Sequence, residues 1–414
     1  MALITLMSLI LLSALALQSV SCFSFNNKPQ DTKTFPRATP VRLNAVRKPV
    51  PRNPRRAYPL VSKDELYFSI EVTLGGQSVY LEVDTGSSNI WAIEKGYICQ
   101  PGWSCDYGTG IQLNSNFEQL PDETFVTGYA DTQGASGIMV NTSVEVAGIL
   151  IPEQRVGLAT SASNETHFVL YTVGDGVISG YLGLAYPILT SETDDGFAQH
   201  YSSVPNTIFQ EGLADPIFAL AISRDASNTG FGGYMTIGGV PDLSDAAVNA
   251  VLPYGSAPIV INPVVDASQV TDYAIYVDAL GWSSPSGTGS GEDSASVLYI
   301  VDSGTTITHV PDADAASINA LFNPPATQDD NGNYLVLCDA KAPDIYITVG
   351  GVKLPINPVD LILPGTGTCY SSIQGLLKTF PAGIIGDTML RSLLAVFDWG
   401  EQMVHLASRP EYES

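Results

Sequence analysis

The sequence predicts a mostly β protein of two related lobes. Its 38 glycines and 27 prolines are spread along 414 residues between short runs of Thr, Val, Ile and Tyr, the texture of short strands joined by turns rather than of long helices. A repeat supplies the two lobes. Val83-Asp84-Thr85-Gly86-Ser87-Ser88 returns as Val301-Asp302-Ser303-Gly304-Thr305-Thr306. Each copy follows an apolar run, Val79 to Val83 and Val297 to Val301, and each is followed further on by two apolar residues and a glycine, in Tyr181-Leu182-Gly183 and Ile384-Ile385-Gly386. Such self-similarity marks two copies of one structural unit.

Leu3 to Leu17 is almost unbroken Leu, Ile, Met and Ala, long enough for the apolar region of a signal peptide and too short to span a membrane. Residues 1–22 are therefore expected to direct export and be removed. Residues 23–56 are basic and Pro-rich, carrying nine of the 18 Lys and Arg against one acid, Asp31. With few core-forming side chains they cannot pack alone, and they read as a propeptide ending at the dibasic pair Arg55-Arg56. Residues 57–245 and 246–414 are the expected N-terminal and C-terminal lobes.

From Ala57 onward nine basic residues face 41 acidic ones, a formal charge near −32. That surface repels nucleic acid and anionic membranes, and its self-repulsion eases at low pH as carboxylates protonate. A secreted, soluble monomer is expected, with the basic arm as a partner for the acidic body. Cys22 falls at the leader boundary, which leaves Cys99, Cys105, Cys338 and Cys369. Four cysteines in an exported protein imply two disulfides in one of three connectivities. The pairs Cys99–Cys105 and Cys338–Cys369 are expected, because each joins neighbours within one half of the chain. Asn141-Thr142-Ser143 and Asn164-Glu165-Thr166 are acceptor sequences for N-glycosylation.

A single Asp-Thr-Gly is a common turn. Two copies, each closing an apolar strand, need another explanation, because a carboxylate there is costly unless it is hydrogen-bonded or does chemistry. Gly86 and Gly304 let the backbone turn tightly and approach its counterpart. The hydroxyls of Ser87 and Thr305 can bond the outer carboxylate oxygens. Asp84 and Asp302 would then face each other, unable both to ionise easily, and would share one proton in acid. The ionised member can take a proton from water while the protonated member bonds a carbonyl oxygen. Peptide hydrolysis follows without metal, cofactor or covalent intermediate.

Asp84-Thr85-Gly86-Ser87-Ser88-Asn89-Ile90-Trp91 and Asp302-Ser303-Gly304-Thr305-Thr306 resemble the two active-site motifs of the pepsin family of aspartic endopeptidases, whose dyad is the general example of proton sharing. Gly183-Leu184-Ala185-Tyr186-Pro187 and Ile385-Gly386-Asp387 through Val396-Phe397-Asp398 extend the likeness. It covers roughly Leu66 to Ala407 and is nearest to secreted enzymes of filamentous fungi. The resemblance implies a bilobal pepsin-like fold, two barrel-like lobes around a cleft, with Asp84 and Asp302 catalytic. Thr85, Ser87, Trp91 and Ser303 would support them, and Gly86, Gly304 and Thr305 would lie beside substrate.

It also implies a hairpin flap at Phe125 to Gly137, with Tyr129 covering the site and bonded to Trp91. Asp131 is similar to a flap Asp that lets some members accept Lys before the cleaved bond, while Ala130 and Thr132 stand where fungal relatives commonly have Gly. Phe168, Leu170, Tyr171, Ile178 and Tyr181 would make the main specificity pocket apolar, with Ile384 opposite and Ser179 replacing a common Asp. Protein and peptide substrates with hydrophobic residues around the cleaved bond follow.

Other chemistries lack parts. His167, His200, His309 and His405 are scattered without metal-ligand spacing, and the mature cysteines are committed to disulfides, so zinc and thiol mechanisms are not expected. Ser283 to Ser296, rich in Gly and Ser, reads as a surface loop, since no helix pattern with Lys-Thr follows to hold phosphate. The alternative function is a catalytically silent pepsin-like binding protein or decoy. Such a protein usually lacks one Asp or its glycine, and all four are present here.

Overall fold

The computed structural model describes residues 41–42 and 68–409, apart from 100–107, 130–133, 164–177, 195–196, 225–230, 247, 288, 365–367 and 379. The leader, Arg55-Arg56, Cys105, Asp131, Asn164, Phe168, Leu170 and Tyr171 lie outside the described residues.

Strands dominate. In the first half they are β1 (Val41–Arg42), β2 (Ser69–Leu74), β3 (Gln77–Asp84), β4 (Ile90–Cys99) and β5 (Glu118–Gly128). There follow β6 (Gly134–Val146), β7 (Ile149–Ser163), β8 (Ile178–Gly183), β9 (Glu192–Asp194) and β10 (Phe197–Gln199). All but β1 form a sheet in the order β10-β9-β5-β6-β2-β3-β8-β4-β7, and a further β6–β7 pairing folds it back on itself. β2 shows why the sequence does this: Ile70, Val72 and Leu74 are buried while Glu71 between them is exposed, the period-two pattern of a half-buried strand. Gly75 and Gly76, with φ of 53° and 85°, close the two-residue turn into β3, a left-handed geometry that favours glycine.

In the second half Ala274–Val277, Val297–Val301, Gly383–Ile385, Thr308–His309 and Ile373–Gln374 make a five-stranded sheet, accompanied by two four-stranded sheets. The repeat is now visible as geometry. β3 runs parallel to β8 with Val83 opposite Leu182, and Val297–Val301 runs parallel to Gly383–Ile385 with Val301 opposite Ile385. Each Asp motif therefore emerges beside the apolar strand of the later motif.

A six-stranded sheet draws on both halves, in the order β1, Gly233–Ile237, Ile217–Ile222, Leu393–Asp398, Met403–Ser408, Val251–Pro258. Its central Ile217–Ile222 and Leu393–Asp398 are buried throughout, as continuous apolar runs covered on both faces should be. Its edge is unexpected: Val41 and Arg42, within the stretch read as a propeptide, pair with Met235 and Tyr234.

The segment read as a loop, Ser283 to Ser296, is instead half of a hairpin in which Ser290–Asp293 pairs with Leu280–Ser283. Gly and Ser hide its alternation, and one glycine has a packing reason. A Cβ on Gly291 would lie 2.7 Å from the Trp282 indole.

Candidate active site

Asp84 ends β3 and Asp302 follows its counterpart strand, and both are buried, at 4% and 8% exposure. The two turns hold their acids alike. Gly86 N donates to Asp84 Oδ1 at 2.8 Å, and the Ser87 hydroxyl donates to Oδ2. Gly304 N donates to Asp302 Oδ1 at 2.9 Å, and Thr305 Oγ1 donates to Oδ2 at 2.6 Å. A Cβ on Gly86 would lie 2.5 Å from Asp302 Cγ, and one on Gly304 would overlap the Asp84 carboxyl. Each acid rests on the other motif's glycine.

Below the acids the motifs are cross-bonded. Thr85 Oγ1 donates to the Val301 carbonyl and accepts from Ser303 N at 2.9 Å; Ser303 Oγ donates to the Val83 carbonyl. Burial raises the pKa of Asp84, the neighbouring Asp302 raises it further, and bonds from Ser87 and Gly86 oppose the rise. Burial also raises Asp302, against bonds from Thr305 and Gly304. Asp387, quoted in the later motif without a role, is a third buried acid in the same field. Burial holds it well above the ordinary value; Arg391 opposes this and the two dyad charges add to it. Such a site can keep one proton on the pair while leaving one oxygen basic.

Trp91 Nε1 donates to the Tyr129 hydroxyl at 2.8 Å. Tyr181 stacks on both, with ring centroids 4.8 Å from Tyr129 and 5.4 Å from Trp91, which makes one aromatic cluster beside the hairpin expected to be the flap. Ile178 is buried nearby in β8, whereas Ile384 packs against Ala274 and Ile300 inside the second half. Cys338 and Cys369 form a disulfide, and Cys99 is disulfide-bonded. The Asn141 amide donates to Glu153 Oε1 at 3.3 Å on the exterior of β6.

Sequence reasoning passed over Asn89, which lies inside the first motif and is 3% exposed; a fully polar side chain at the mouth of an apolar strand was its signal. It also passed over a cluster of possible metal ligands, Asp398, Glu401 and His405, whose ligand atoms lie within 4.8 Å of one another. They sit on the hairpin Leu393–Asp398/Met403–Ser408, where Ser256 Oγ and His405 Nδ1 are 2.7 Å apart, and not on the strands that carry the dyad.

The family model for eukaryotic aspartyl proteases matches residues 66–409. The chain is 33% identical over 366 residues to a probable aspartic-type endopeptidase of Aspergillus fumigatus, covering 82% of this chain and 78% of that protein. It is 28% identical over 359 residues to gastricsin of Mus musculus, covering 84% and 82%. Its fold is similar to the crystal structure of the aspartic proteinase from Irpex lacteus, with a TM-score of 0.63 and 19% identity over 83% of this chain and 94% of that one. The architecture is the bilobal, pepsin-like one, and the chain belongs to the eukaryotic aspartyl protease family as a pepsin-like aspartic endopeptidase.

Proposed function

We propose that Asp84 and Asp302 are the catalytic dyad of a secreted endopeptidase that cleaves extended protein segments in acid, beside hydrophobic residues. The observation that carries this reading is the reciprocal seating of each carboxyl on the other motif's glycine, with both acids buried and raised. A pair so placed holds a water between its oxygens. The ionised carboxylate takes a proton as the water oxygen attacks the scissile carbonyl, and the protonated carboxyl hydrogen-bonds and then protonates the carbonyl oxygen. The resulting diol collapses when a proton reaches the amide nitrogen, breaking the C–N bond to give an acid and an amine. Ser87 and Thr305 hold the outer oxygens throughout, and the pair titrates as a unit.

The aromatic cluster of Trp91, Tyr129 and Tyr181 supports a preference for hydrophobic side chains. The acidic body supports work at low pH, and the basic arm of residues 23–56 supports a zymogen held closed by charge. Export rests on the apolar leader; among the described residues no helix is long and apolar enough to cross a membrane. The test is hydrolysis of a denatured protein at about pH 3 to 5 by the purified secreted product. Turnover blocked by a statine-type inhibitor supports the reading; turnover only near neutrality, or insensitive to that inhibitor, overturns it.

A further inference from the structure

The outer flap strand β5 is paired on its far side by β9, but only from Glu123 to Phe125, where Phe125 faces Glu192. Beyond that point the contact continues through side chains. Ser191 Oγ donates to the Val126 carbonyl at 2.7 Å. The Asn89 amide donates to Thr127 Oγ1 at 3.3 Å and to Ser191 Oγ at 3.1 Å. Asn89 Oδ1 accepts from Ser191 N and from the Tyr201 hydroxyl, both at 3.0 Å. Both donors and both lone pairs of one buried amide are thus used.

Asn89 and its partners lie on three separate pieces of chain. Thr127 stands two residues before Tyr129 on the flap, Ser191 and Tyr201 bracket the β9–β10 hairpin, and Asn89 itself belongs to the loop that carries Asp84. Thr190 closes the bracket, its Oγ1 accepting from Tyr201 N at 2.8 Å and donating to the Pro187 carbonyl at 2.7 Å. At the flap's base Arg155 pairs with Glu123 of β5 at 3.0 Å and with Glu192 of β9. The β5 residue that this amide reaches, Thr127, is on the buried face of the strand, whereas Val126 beside it is 63% exposed, so the bonds act on the inner face of the flap strand.

We propose that Thr190 to Glu192, with Tyr201, brace the flap, and that Asn89 and Ser191 are positioning residues. They set the height of Tyr129 above the loop of Asp84, so that flap closure and dyad are registered to one another. The inference rests on the proposed dyad for its catalytic consequence, but not for its structural one.

Hydrogen exchange of the amides from Glu123 to Gly128, read on the intact protein without substrate, tests the structural part. Ser191→Ala should speed exchange there by about tenfold, leaving β2 and β3 unchanged, and Ser191→Thr should restore protection. On a peptide substrate Ser191→Ala should raise KM by a similar factor with kcat within about twofold, and shorten the residence time of a statine-type inhibitor. Unchanged flap exchange in both Ser191→Ala and Tyr201→Phe would overturn the brace, as would a rise spread evenly over the whole sheet. Selective flap exchange in a protein without turnover would uphold the brace and remove the catalytic reading.

Discussion

The Thr85 hydroxyl donates to the Val301 carbonyl at 2.8 Å, tying together residues 216 positions apart. Its mirror, Ser303 to Val83, is 2.7 Å long. Because Thr85 Oγ1 also accepts from Ser303 N, Thr85→Val leaves a buried donor and a buried acceptor unmatched. The expected loss is roughly 1–3 kcal/mol of stability, read by urea unfolding, with Thr85→Ser close to the parent. A variant as stable as the parent would show that the cross-bond carries nothing.

Asp84→Asn and Asp302→Asn each keep the shape of the site while removing its shared-proton state. Both should fold, and both should lose about a hundredfold to ten-thousandfold in kcat on a peptide substrate. Retention of even about a tenth of the parent rate in either would remove the pair from its proposed role.

Stability should fall between acid and neutral pH. Burial raises Asp84, Asp302, Asp272 and Asp387 above their ordinary 3.8. Burial, followed by the facing Asp293, pushes Asp314 to about 6. An acid raised in the folded state binds more protons folded than unfolded, so its stabilisation is complete below 3.8 and is lost as pH climbs through the folded value. Burial and bonds from His405 and turn amides compete at Asp398, which is lowered on balance and so acts oppositely, but only below 3.8. His309, lowered by burial, also opposes the decline, because below 6.5 it takes a proton more readily unfolded than folded, one group against the five raised acids. Calorimetry should find Tm highest near about pH 4 and falling toward 7, with Asp314→Asn flattening the decline between 3.8 and about 6. A Tm that rises across this range would contradict the burial of these acids.

Processing is expected after Arg56. Replacing Arg55 and Arg56 with Ala and sequencing the secreted product decides the route. Dibasic processing predicts that the parent begins at or within a few residues of Ala57 and that the variant does not do so at neutral pH. A variant with an unchanged N-terminus formed at neutral pH would exclude such processing, and a new terminus appearing only on acidification would show that self-cleavage suffices.

What could be read in advance was whatever the chain states twice or states locally. Asp84 and Asp302 stood out because their motifs repeat after matching apolar runs, and Trp91 with Tyr129 stood out by resemblance. Asn89 was in plain sight inside a motif, yet its partners Ser191 and Tyr201 lie 102 and 112 residues away, and nothing local announces a bond across such a span. The pairing of Val41–Arg42 with Gly233–Ile237 was hidden for a similar reason: a strand of two residues has no period to detect. Ser290–Asp293 was read as loop because glycine opposite Trp282 answers to the indole's size rather than to strand propensity.

The seating of Asp84 on Gly304, and of Asp302 on Gly86, has a consequence for how the enzyme can vary. Neither copy of the repeat contains an unusual acid. Taken from its counterpart, Asp84 would lose both the surface that buries it and the charge that raises it, and would titrate as an ordinary turn carboxyl. The reactivity proposed for the pair is therefore a property of a junction, stored in no single stretch of chain. Recombination between relatives preserves it only where the two glycines arrive together, however freely the surfaces around them diverge.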